Sequence, residues 1–118
     1  MTKSPSYRRP ASAVFTLPDP DNAYASIHVE IGGTLEIRCE SPTYPDFQVI
    51  FEGADPSGKE EGHVFEGSIH QPIVIPVSKE GDFRYTVLHY HKHGGDPFRR
   101  KYDVHSVPCK GCTGGSHI

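Results

Sequence analysis

The stretch FRYTVLHYHKHGG, from Phe83 to Gly95, sets His89, His91 and His93 at every second position. Side chains two apart on a strand share a face, with their bases ~7 Å apart. Two such imidazoles can share one tetrahedral or square-planar ion, and neutral imidazole suits zinc, copper and nickel. The competing reading is the solvated end of a strand, because no carboxylate or Cys lies within that local spacing. Further on, Cys109 and Cys112 form C-x-x-C, with Pro108 before it and Gly111 inside it. Two thiolates in such a turn can ligate zinc or copper(I), or exchange as a dithiol. His105, four residues before Cys109, could complete a site with these thiols or with the histidine ladder. The candidate metal set is therefore His89, His91, His93, His105, Cys109 and Cys112, and the candidate ion is zinc or copper.

Catalysis finds less support. A thioredoxin-type dithiol opens a helix, whose dipole lowers a thiol pKa, whereas Gly-Gly follows Cys112. No Ser-His-Asp spacing, phosphate-binding loop or paired carboxylate on an alternating face is present, so a non-enzymatic protein is expected. Cys39 closes an alternating apolar row with Leu35 and Ile37 and reads as a small core residue. His28 alternates with Ile27 and Val29 and is expected to be exposed, while His63 and His70 have no assigned role. Glu60 and Glu61 read as solvated charges beside Lys59, as do the Arg pairs of YRRP and DPFRRKY.

The elements that must position these residues are short. The chain of 118 residues is long enough for one domain with one modest core. Twelve basic against fifteen acidic residues give −3, which lacks the footprint of a nucleic-acid binder. No apolar run approaches a membrane span. Residues 1–10 are polar and aperiodic and read as a flexible arm, residues 11–108 as a β-sandwich domain, and residues 109–118 as a tail carrying the C-x-x-C. Within the domain, Ser12–Leu17, Ser26–Ile31, Thr34–Glu40 and Phe47–Gly53 alternate with period two. IHVEIGGTLEIRCE reads as a hairpin about Gly32-Gly33. HVFEG is a short strand, and Gln71–Val77, broken by Pro72 and Pro76, reads as an edge strand. FRYTVLHYH and Lys101–Val107 complete the set, and no segment has a helical period. Seven or eight strands with turns between them predict an all-β Greek-key sandwich. The edge near Pro72 to Val77 offers an alternative role, recognition of a protein partner by strand addition, with the His and Cys residues incidental. The start has no apolar signal core, so a cytoplasmic address is expected, or a periplasmic or secreted one if the first residues are a processed or engineered start. An odd count of three Cys favours reduced thiols over a disulfide framework.

Two stretches, IHVEIGGTLEIRCESPTYPDFQVIFEG and IVIPVSKEGDFRYTVLHYHKHGG, resemble the cupredoxins over about residues 26–95. The resemblance lies in strand rhythm, with DFQVIF placed where that family carries its first ligating His and KEGDFRYTVLHYH where its Cys strand runs. It implies the cupredoxin sandwich. Carried over by position, the first His falls at Asp46 or Phe47, the Cys falls at Val87, and His91 stands where the second His would be. No Met follows. Type 1 copper needs the thiolate, so the resemblance implies the fold without that centre. An immunoglobulin-like sandwich is the alternative, sharing the strand count but lacking a core Trp and the paired Cys.

Overall fold

A computed structural model describes residues 9–17, 27–59 and 63–110. Eight strands form two sheets: β1 (Ala13–Leu17), β2 (Ile27–Glu30), β3 (Thr34–Cys39), β4 (Asp46–Phe51), β5 (Val64–Ser68), β6 (Ile73–Pro76), β7 (Gly81–Tyr90) and β8 (Phe98–Val107). The smaller sheet has the order β1-β3-β6 and the larger β2-β8-β7-β4-β5. Pairing is antiparallel except for β1 with β3 and β2 with β8, which run parallel. The expected arm at 1–10 lies outside the described residues except for Arg9 and Pro10, as does most of the tail at 109–118.

The alternation expected from sequence is what builds the core. Inward rows Leu35-Ile37-Cys39, Phe47-Val49-Phe51 and Phe83-Tyr85-Val87 are all buried, and they meet Ile73, Ile75, Tyr102 and Val104 between the layers. Phe15 from the small sheet packs edge-on against Tyr102 of the large one, with ring centroids 4.7 Å apart. Such a contact joins the two layers directly.

The expected hairpin at Gly32-Gly33 is not one. β2 and β3 belong to different sheets, so the turn carries the chain across the sandwich. Val29 and Leu35 are both fully buried, approaching one core from opposite layers. Gly32 takes φ +99°, a left-handed conformation, and a Cβ on Gly33 would stand 2.5 Å from the Ala11 carbonyl oxygen. The glycines thus serve a tight crossover between sheets rather than a two-residue hairpin loop.

β6 lies at a sheet edge, as its prolines suggested. The Val77 N–H donates to the Gly33 carbonyl (2.9 Å), and Thr34, opposite Pro76, directs its own N–H to Ser12 Oγ (3.0 Å) instead. Antiparallel pairs alternate in this respect. Positions 73 and 75 therefore bond to β3, while Pro72, Val74 and Pro76 face away from it. Two of those three outward positions have no N–H to offer.

Candidate functional site

The histidine ladder divides at the end of β7. Alternation carries the inward row one step further than Val87: His89, opposite Phe47 and Phe98, is only 1% exposed. Its ring lies 5.5 Å from that of Phe98 and 6.4 Å from that of Tyr44, centroid to centroid. Its Nε2 has no hydrogen-bond partner among the described residues. Burial, with the Arg100 guanidinium as a second cause, pushes its pKa below the usual imidazole value. His91 and His93 fall beyond the last residue of β7. Their rings are 5.3 Å apart, and the His93 backbone N–H donates to His91 Nδ1 (3.0 Å). An accepting Nδ1 has its lone pair engaged, and in the neutral ring the proton sits on Nε2. Cys39 is a buried free thiol near this end, donating to the Tyr44 carbonyl (3.0 Å).

His105 occupies the opposite end of the large sheet. It pairs with Asp82, the second residue of β7, whereas His89 is near the last. The separation along β7 is ~23 Å. The structure therefore does not bring His105 to the ladder. Cys109 follows β8 beyond Val107, at the His105 end, in the disulfide-bonded form rather than the expected thiol. Cys112 lies outside the described residues.

Two side chains from other strands flank His105. Its Nδ1–H donates to Asp82 Oδ1. On its other side His28, its register partner on β2, stacks against it with ring centroids 5.1 Å apart and planes 24° off parallel. A carboxylate accepts only, so it holds the His105 proton on Nδ1 and leaves Nε2 with its lone pair, the tautomer that accompanies metal-ligating histidines. Beside the pair runs a groove of about 420 Å³ lined by Glu52, Asp82, Arg84, Asp103 and His105. Arg84 and Lys101 stand 3.6 Å from Asp103 and Glu52 respectively. The row His28–His105–Asp82 joins strands distant in sequence. Its only local signal is that His28 and His105 each sit at an outward position of an alternating strand.

A second oriented imidazole stands apart from this row. Asp55, fully buried, accepts from Ser57 N–H (2.8 Å), Ser57 Oγ–H and His63 Nδ1–H (3.1 Å). Desolvation opposes ionisation, but these hydrogen bonds outweigh it and hold the carboxyl below its usual range. The His63 ring lies tilted against that of Phe65, with centroids 4.2 Å apart. The group closes the β4–β5 connection. Among the described residues, no three His, Cys, Asp or Glu side chains are arranged to hold one metal ion.

No family model and no curated protein matches the chain. Among solved structures, a mutant of amicyanin in its Cu(I) form superimposes with a TM-score of 0.52 at 16% identity, covering 80% of this chain and 82% of that one. The fold is cupredoxin-like. A second amicyanin mutant, in the reduced state, has a TM-score of 0.49 at 15% identity over 79% of this chain and 81% of that one. A cysteine protease inhibitor from Entamoeba histolytica has 0.47 at 14% identity over 81% of this chain and 95% of its own. On this cupredoxin-like frame, Asp46 is exposed at the start of β4, Phe47 and Val87 are buried in the core, and His91 lies just past β7. Among the described residues no helix is long and apolar enough to cross a membrane.

Proposed function

We propose that this chain is a non-catalytic binding protein that takes zinc or copper at the His105 end of its large sheet, through His28 and His105. The observation that carries the reading is the Asp82 carboxylate on His105 Nδ1, which leaves Nε2 as the donor, while the exposed His28 ring would turn out of its stack to meet the same ion. The neighbouring groove sets Glu52, Asp82 and Asp103 against the single guanidinium of Arg84, an excess of negative charge that favours a cation over an anion. Type 1 copper is set aside on the chemistry of its expected position. Val87 is a fully buried hydrocarbon opposite Val49 and supplies no thiolate. The C-x-x-C could add donors only in its reduced form.

Titration with zinc chloride, and separately with copper(II), followed by the histidine ring signals tests the reading. The rings of His28 and His105 are expected to shift while His89 stays fixed, and Asp82→Asn should weaken binding about 10- to 100-fold. Ring signals of His28 and His105 that do not move at tens of micromolar metal would sink the proposal.

A second reading, a protein-interaction module, draws on Val14 and Val74, which flank Glu36 in one register row of the small sheet and are 57% and 53% exposed. Partner addition at the β6 edge is the less favoured form of it, since Pro72 and Pro76 remove the donors that strand addition needs.

A further inference from the structure

We propose that the outer face of the large sheet docks a second copy of this chain, the two sheets packing face to face about a two-fold axis that runs along the strands between β4 and β7. The inference is independent of the metal reading. It starts from the residues that alternation sends outward. Val49, Val87 and Tyr102 are buried, so Gln48, Leu88 and Arg99 stand on the opposite face, and register sets them in one row with Glu66 of β5. The next row is Val64, Ile50, Thr86 and Lys101. Beyond it the Glu52 N–H donates to the Arg84 carbonyl (3.0 Å), which sets those two residues side by side.

Charge divides across this face. The β5–β4 half carries Asp46, Glu66 and, just past β4, Glu52, all exposed, and no Lys or Arg at an outward position. The β7–β8 half carries Arg84, Arg99 and Lys101, exposed likewise. Its acids lie toward one end, Asp82 bonded to His105 and Asp103 held at 3.6 Å by Arg84. Lys101 stands as far from Glu52, and exposed pairs of this kind bind each other weakly. Ile50, Thr86 and Leu88 lie half-buried along the boundary between the halves. Two in-plane two-fold axes can stack identical sheets, and the charges select one of them. An axis across the strands lays each half on its own kind, acid on acid. An axis along the strands keeps every row and exchanges the halves, so that Glu66 meets Arg99 of the second copy, Glu52 meets Arg84, and Ile50 meets Thr86. Each contact then occurs twice. Packed sheets lie ~10 Å apart, within reach of such pairs. The four strands offer a patch roughly 20 Å on a side, at the small end for a specific interface, so the dimer is weak and sensitive to salt.

Sedimentation velocity of the full chain over a concentration series, with a chelator present, tests the docking. Monomer and dimer are expected in exchange, and the dimer dissociation constant should rise about tenfold or more in Glu66→Arg and in Arg99→Glu. Combining the two changes exchanges the charges and should restore association to near the parent's, which neither a folding defect nor a contact on another face would produce. The methyl signals of Ile50 and Leu88 should move as the dimer forms. A chain still monomeric at about 1 mM in low salt overturns the proposal. So does a dimer indifferent to the single changes, one that the double change fails to restore, or one whose formation leaves those methyl signals fixed.

Discussion

His89 is an imidazole placed where a hydrocarbon would ordinarily stand. Its neighbours are the rings of Tyr44 and Phe98, its Nε2 has no partner among the described residues, and the positive Arg100 discourages a second charge. The folded state therefore favours the neutral ring, and the unfolded state binds more protons below the ordinary His pKa of about 6.5. Stability present above that value is lost as pH falls through it toward the lower folded pKa. Thermal unfolding from pH 7 to pH 5 is expected to show a falling midpoint in the parent, and a flatter profile in His89→Leu. Asp55 adds its own loss only further down, below the usual carboxylate range, because its folded pKa is depressed. Residue-level reading of the sequence succeeded where the local period sufficed. It set His89 on the same face as Val87 and made Cys39 a core residue. The tautomer of His91 and the Asp82 and Asp55 contacts depend on hydrogen bonds to backbone or to distant strands, for which a period-two pattern has no term.

At the scale of the strand, alternation located all eight elements but not their partners. Val29 and Leu35 alternate as they would in a hairpin, and the same burial results when the two strands face each other across the core. A buried face is the only thing the pattern specifies, and either arrangement provides one. The prolines of β6 were more telling. Their spacing of four keeps both at outward-facing backbone positions, so they cost β3 no hydrogen bond and deny an incoming strand its donors. Replacing both, as Pro72→Val with Pro76→Thr, should leave the fold intact but promote concentration-dependent association. Light scattering over a dilution series would reveal it. Equal monodispersity of parent and variant at high concentration would show that the prolines have no protective role.

The whole molecule depends on two layers held by a thin shared core. Phe15 lies on a short strand and reaches Tyr102 in the opposite sheet, so one ring ties β1 to β8 of the large sheet. Phe15→Ala is expected to cost about 3–5 kcal/mol, a large share of the roughly 5–15 kcal/mol typical of such domains. Because the contact spans both layers, the loss should appear as an earlier midpoint of a single urea transition with an unchanged slope. A separate early transition confined to the small sheet would instead mean that the layers unfold independently.

The parallel pairing of β2 with β8 has a consequence in time. Ile27 meets Val104 across 77 residues of chain, and β2 has no other neighbour in its sheet. At ~5–20 residues per second a ribosome needs roughly 4–15 s to supply that partner. Throughout the interval Val29, destined for full burial, has no sheet to join. Synthesis of β8 therefore sets when Val29 can be covered, and a pause in translation before Phe98 would prolong its exposure.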